Sequence, residues 1–330
     1  MARYIVRRLL WSVAMLVIVS AVVFLIFYIF PSADPAQLRA GRGANIAQIE
    51  AIRESLGLDK SKPEQFWIYF KGVFTPLDLP GTDEHGPLYF GRSYQSNADV
   101  FDVIKSDLPA TVMLVTGAVI IWLGIAIPVG VISAIKRRSL LDRATMLTTL
   151  AFISAPVFWL GLVALYLFSQ DVGLLHIFPG IGSYAGEDTF IGKIGTMILP
   201  WLVLAAATAA IYARYLRSQM LDVMGEDYIR TARAKGLPER RVIIGHALRS
   251  AITPIVTLLG LDVAVLLAGN AILTESVFNI PGIGAETFNA IKRSDLPMIQ
   301  GITLFGAFFI VTFNLIVDIA YAYLDPRVRY

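Results

Sequence analysis

Residues 226–254 read EDYIRTARAKGLPERRVIIGHALRSAITP, the one long polar stretch between two apolar runs that carries the marks of folded structure. Its first part, Glu226 to Lys235, has neither Gly nor Pro, opens on two acids and closes on bases. That order suits the partial charges at the two ends of a helix. Gly236 stops this helix, Pro238 is tolerated in the first turn of the next, and Glu239 again places an acid at a helix start. The stretch therefore predicts a helix, a sharp turn and a second helix through Arg240, Arg241, His246 and Arg249, which becomes apolar at Ala251. A flexible basic loop has no need of a helix stop followed at once by a helix start. A rigid hairpin held at a membrane face is the form that transmits a push.

The rest of the chain is membrane or connection. Of 330 residues, 56% are hydrophobic and 16% charged, and mean hydropathy is positive. A bilayer core takes about 20 mostly apolar residues per helix. Six runs qualify: Leu9 to Phe30, Leu108 to Ile135, Leu147 to Phe168, Ile194 to Leu216, Ala251 to Leu273 and Met298 to Leu324. Backbone groups in lipid must satisfy one another, so these runs are helices and the class is an all-α polytopic membrane protein. Net charge is only +3, but the bases cluster at Arg3, Arg7 and Arg8, at Lys136 to Arg138 and Arg143, at Arg217 to Arg249, and at Arg327 and Arg329. All these sites fall at one set of helix ends, which predicts both termini in the cytoplasm and argues against nucleic-acid binding. Arg7 and Arg8 mimic an export signal, but about 22 apolar residues exceed a usual signal core and no small-x-small site follows, so the first helix is read as retained. Cysteine is absent, which removes disulfides and thiolate metal sites.

The pattern Glu226, Ala232, Gly236, Ile252 and Pro254, within TARAKGL and HALRSAITP, resembles the cytoplasmic loop of ABC importer permeases, and the dipeptide and oligopeptide branch in particular. The resemblance implies a type I, MetI-like permease whose loop, 217–250 with its motif extending to Pro254, forms a coupling helix in a groove of the ATP-binding subunit. Glu226, Tyr228, Arg230, Ala232, Arg233, Gly236 and Pro254 are the residues it assigns to coupling. Leu237 departs from the Ser or Thr expected before a helix start. It implies three regions: residues 1–30, the first span; 31–107, an extracytoplasmic segment; and 108–330, a five-helix core.

Within the extracytoplasmic segment, Ile46, Ile49, Ile52 and Leu56 recur at helical spacing between an Asn45 cap and Gly57. Pro63 opens a second helix with Phe66, Trp67 and Phe70 on one side, suited to a lipid interface. AIRESLGLDK, Gln65 and FGRSY are similar to the peptide-importer family, whereas TPLDLPGTDEHGPL, Thr75 to Leu88, is an insertion and Phe90 stands where an acidic-Leu-Gly step is expected. Pro128 and Pro156 predict kinks in the second and third spans. After the fifth, Glu275, Phe278, Pro281, Gly282, Gly284 and Asp295 stand as in peptide-type permeases. The residues themselves predict a turn at Pro281 to Gly284 and a helix from Ala285 to Lys292, either a re-entrant outer gate or a surface loop. Asp325 to Arg329 match that family's ending.

Asp262 lies mid-span, where a charge costs at least about 2.5 kcal/mol unless it faces protein or water. It either lines a pathway and meets a cation such as a peptide amino terminus, with Asn270 nearby, or bonds another helix through Asn270, Asn314 or Ser154. Asp318 is read as structural. The two differ in depth by roughly 8 Å at ~1.5 Å rise per residue, too far for an aspartyl dyad. His85, His176 and His246 are scattered, so no metal site is expected. No Gly-rich phosphate loop occurs, so the chain is no enzyme and holds no cofactor, and ATP with Mg belongs to partner subunits. The resemblance implies a second homologous permease, two ATP-binding subunits, an extracytoplasmic binding protein and a peptide substrate in the cell membrane. The alternatives are the same machinery for nickel or an opine, and an independent carrier or channel, which would show paired half-repeats.

Overall fold

The computed structural model describes residues 2–30, 34–41, 43–74 and 90–324. The insertion, His85 and the terminal Asp325 to Arg329 lie outside the described residues. Helix α1 (Ala2–Phe24) continues through a wider π-helical turn, Leu25–Ile29. Three short helices follow: α2 (Pro35–Ala40), α3 (Ile46–Ser55) and α4 (Lys62–Phe74). Next come α5 (Val100–Ile135), α6 (Leu140–Ser154), α7 (Val157–Phe168) and α8 (Phe190–Met224). The basic stretch supplies α9 (Asp227–Ala234), α10 (Glu239–Arg241), π-helical Val242–Leu248 and α11 (Arg249–Ala251). Helices α12 (Thr253–Val265), α13 (Ile272–Phe278), α14 (Ile283–Arg293) and α15 (Leu296–Leu324) complete the order.

Among the described residues five helices are long and apolar enough to cross a bilayer, and α6 with α7, bent by 102° at the break between them, makes a sixth if the pair is one span. The kink expected at Pro156 is thus a break. Proline lacks the N–H a helix needs and drives the preceding residue toward extended backbone, and Ala155 sits at ψ 125°. At Pro128 the outcome differs, because α5 stays helical through it. Helix α5 also begins at Val100, not at Leu108. Asp102, Lys105 and Asp107 hid its first turns from hydropathy, but Asp99 caps them by accepting from the Phe101 N–H at 2.8 Å. Val100 and Ile104 are buried there against Ile283, Ala290, Met298 and Ile302.

The main core lies between α5 and α8. Small residues let these backbones close up, the usual device where lipid offers no hydrophobic drive for helix pairing. A Cβ at Gly130 would stand 2.8 Å from the Ala213 carbonyl oxygen. The basic end of the pair is bolted by Asp142 at the start of α6. Its carboxylate accepts from Arg217 Nε at 2.7 Å and from a terminal guanidinium nitrogen at 2.8 Å. It also accepts from the Ser133 hydroxyl and, at 2.9 Å, from the Arg138 N–H. At the same end Arg8 pairs with Asp318 at 2.9 Å, tying α1 to α15.

At the opposite end α3 has the expected Asn45 cap, with Gln48 completing a reciprocal capping box. Helix α4 packs Phe66 and Tyr69, edge-on or tilted, against Phe24 of α1 and Tyr28 of the π-helical turn. Gln65 is buried and donates to the carbonyls of Leu58 and Lys60 at 3.0 and 2.8 Å.

Candidate functional site

The hairpin is built as its charges and punctuation require. Glu226 is the N-cap residue of α9, and Ile229 and Ala232 form its buried side. Gly236 takes φ +73°, with open space around its absent Cβ, so it is needed for backbone conformation and not for room. The Gly236 N–H reaches the Arg233 carbonyl at 2.9 Å and the Leu237 N–H reaches that of Ala232 at 3.4 Å. This is a Schellman ending, which favours an apolar residue just after the glycine. Leu237 occupies that place and packs on the main core. Its departure from Ser or Thr therefore costs the turn nothing, because Pro238 is the residue that precedes α10.

Across the corner Arg233 pairs with Glu239 at 2.7 Å. The guanidinium hydrogen bond holds the Glu239 carboxyl below its ordinary range. The Tyr228 hydroxyl donates to Ser250 Oγ at 2.9 Å, joining α9 to the foot of the fifth span. Arg230 is exposed and pairs along its own helix with Asp227. Pro254 sits in the first turn of α12, where its missing N–H breaks no helical bond.

Inside the span region Asp262 is half-buried. It accepts from the Tyr212 hydroxyl of α8 at 2.6 Å. The interhelical partner is thus a tyrosine, not Asn270, Asn314 or Ser154. Trp122 packs against that tyrosine with its ring tilted by 41°, centroids 5.7 Å apart. Toward the basic end, Tyr215, Pro254, Thr257, Leu258 and Asp318 line an open surface hollow of about 400 Å³ between α8, α12 and α15. The buried Thr257 hydroxyl and Trp122 Nε1 have no hydrogen-bond partner. Asn270 is exposed just after Gly269, whose φ of +98° ends the fifth span.

On the opposite face the segment after this span is a packed corner. Glu275 is fully buried. Its carboxylate accepts from the Thr111 hydroxyl at 2.7 Å and from the Ala285 N–H at 2.8 Å. Thr111 in turn accepts from the Ile283 N–H at 2.9 Å. Two side chains from α13 and α5 so cap the start of α14, where orphan N–H groups and the helix dipole favour an acceptor. Burial pushes the Glu275 carboxyl up, and its donors pull it back. Gly282 leaves room for that carboxylate, 2.5 Å from where its Cβ would stand, and Gly284 lies against the Gly269 and Ile272 backbone. Helix α14 starts at Ile283, ahead of the expected Ala285. The Phe278 carbonyl accepts from the Gly182 N–H at 2.9 Å, linking the corner to the loop before α8. Pro281 is exposed at the turn.

Asp295 is buried too, accepting from the Ser93 hydroxyl and, at 3.0 Å, from the Tyr94 N–H. The FGRSY loop and Asp295, separate motifs in the sequence, are one latch. Burial pushes the Tyr94 phenol up to about 12. Sequence reasoning missed Tyr212, Thr111, Ser93 and the Asp142–Arg217 pair. Asp142 lies in the basic connection between two apolar runs, so no local signal in the sequence marks it as buried or names its partner. Among the described residues no group of His, Cys, Asp and Glu is placed to hold a metal ion.

Five apolar helices, with a bent pair that makes a sixth if it is one span and a charged hairpin joining two of them, give the architecture of a multi-pass membrane protein. Comparison with known proteins supplies the family: the chain belongs to the binding-protein-dependent transport system inner membrane components, whose model matches residues 126–330. The N-terminal model of the same systems matches residues 1–115. The chain is 37% identical to the dipeptide transport system permease protein DppB of Escherichia coli K12 over 351 aligned residues, covering 100% of this chain and 99% of the relative. It is also 37% identical over 330 residues to the glutathione transport system permease protein GsiC of Pectobacterium atrosepticum, covering both chains fully. Membership makes it an inner-membrane permease subunit of an ABC importer. Such subunits work with a partner permease, an ATPase and a binding protein, and bind no cofactor themselves.

Proposed function

We propose that this chain is the membrane-spanning half of an ATP-driven importer of di- or oligopeptides, paired with a second, similar permease, two ATP-binding subunits and an extracytoplasmic peptide-binding protein. Both termini and the hairpin face the cytoplasm. Residues 1–30 form the N-terminus and first span, 31–107 the extracytoplasmic segment and 108–330 the five-helix permease core. The observation that carries this reading is the hairpin, a short helix fixed from within by Ile229 and Ala232 and turned sharply by Gly236. Glu226, Tyr228, Arg230 and Arg233 are exposed, and in this reading they meet the ATP-binding subunit. ATP binding draws the nucleotide subunits together, moves the hairpin and opens the pathway outward, and hydrolysis reverses this. A ligand biases two states only through different affinity for them, so the hairpin contacts the ATPase differently in each. The Glu275 to Asp295 segment, with Phe278, Pro281, Gly282 and Gly284, is the outer gate.

Gly236→Val forces a β-branched residue into the left-handed region at a cost of about 1–2 kcal/mol or more, while Asn tolerates it. In the reconstituted complex Gly236→Val is expected to lose uptake with membrane insertion intact, and Gly236→Asn to keep most of it. Wild-type uptake by Gly236→Val would end the coupling role.

Asp262 and Asn270 line the pathway, and the Asp262 carboxylate, aimed by Tyr212, meets the peptide's amino terminus. Asp262→Asn is expected to raise KM for free dipeptides by about tenfold, the equivalent of ~1.4 kcal/mol, and to leave N-acetylated ones unchanged. An equal effect on both would remove Asp262 from substrate recognition. The same assay separates peptides from the nickel and opine alternatives.

A further inference from the structure

Asp142 is almost fully enclosed, at 4% exposure, and its carboxylate serves three segments at once. Ser133 reaches it from α5, the Arg138 N–H from the corner between α5 and α6, and Arg217 grips both of its oxygens from α8. The corner is closed by Ser139, whose Oγ accepts from the Asp142 N–H at 3.2 Å, and by Arg138 at φ +65°. From Arg217 the helix runs unbroken to Met224, seven residues or about 10 Å at ~1.5 Å each, and there it meets α9. Leu216, just before this stretch, and Met220 within it share one core with Ala134 of α5 and with Ile229, Val242 and Ala247 of the hairpin.

We propose that Asp142 and Arg217 are positioning residues that make the α5–α6 corner and the basic end of α8 one rigid lever, closed throughout the transport cycle, so that α6 follows the hairpin when it is displaced. A bidentate fork fixes angle as well as distance, which a single point charge does not. Without it α8 and α9 would still move, but the corner and α6 would lag behind. The inference rests on the reading of the hairpin as the contact with the ATP-binding subunit.

The test uses the assembled complex in liposomes and reads peptide taken up per ATP hydrolysed, a ratio that a merely stabilising contact would leave alone. Arg217→Lys keeps the charge and loses the fork. It is expected to hydrolyse ATP at a near-normal rate and to lower uptake per ATP by about tenfold, within the usual range of coupling between sites. The chain has no native cysteine, so Asp142→Cys with Arg217→Cys places the only two thiols in this chain. A short bifunctional thiol reagent joining them is expected to restore the ratio. Wild-type uptake per ATP in Arg217→Lys overturns the proposal, as does a cross-linked pair that blocks uptake, because the clamp would then have to open. Should these variants fail to assemble, Asp142→Asn keeps the side chain's shape and loses the charged fork to Arg217, and an unchanged ratio in it also overturns the proposal. If Gly236→Val transports normally, the hairpin reading itself falls. If Gly236→Val is inactive and Arg217→Lys is normal, the clamp alone falls.

Discussion

A Glu275→Leu variant is expected to open the outer-face corner. Leucine fills much of the same volume but accepts no hydrogen bond, so the Ala285 N–H, now served at 2.8 Å, and the Thr111 hydroxyl, served at 2.7 Å, lose their acceptor inside protein. Each buried polar group left without a partner costs about 1–3 kcal/mol. Amide exchange at the start of α14 should therefore quicken by roughly ten- to a hundredfold, at tenfold per ~1.4 kcal/mol. Glu275→Gln should fall between, because one oxygen still accepts while its amide nitrogen turns a donor toward donors. Uptake should fall in the same order. Unchanged exchange at Gly284 and Ala285 in Glu275→Leu would contradict the capping role.

The second large effect is expected at Gly130. A methyl group there would sit 2.8 Å from the Ala213 carbonyl oxygen and 3.1 Å from the Leu216 Cβ, so α5 and α8 must part to admit it. Overpacking of this kind costs about 1–3 kcal/mol. Gly124 lies on the same helix with open space at its Cβ. Gly124→Ala should be neutral or stabilising by up to ~1 kcal/mol from helix propensity alone. Thermal unfolding in detergent distinguishes the two. A Gly130→Ala midpoint equal to that of the native chain would show that the close approach carries no energy.

Much of the site was legible along the chain because its signals are local. Glu226, Gly236 and Pro238 mark a helix start, a left-handed stop and a second start within a dozen residues, and each instruction acts over one turn. Asn45 and Gln48 are as close. The bend between α6 and α7 was half legible: Pro156 announced a kink, but its 102° depends on what α7 packs against, namely α8 and α13. The start of α5 at Val100 was hidden, since Asp102, Lys105 and Asp107 read as loop until Ile283 and Met298 bury the apolar side between them.

From its own residues the sequence determined the apolar spans, the hairpin with its corner, the caps and the buried cost of Asp262, because periodicity, capping and desolvation are properties of neighbouring residues or of one residue in lipid. Only the tertiary structure decided which groups meet. Tyr212 finds Asp262 across 50 positions, Arg217 finds Asp142 across 75, Thr111 finds Glu275 across 164 and Ser93 finds Asp295 across 202. Such pairs arise because an acid enclosed by packed helices must be given donors, and the donors come from whichever helix the packing brings alongside.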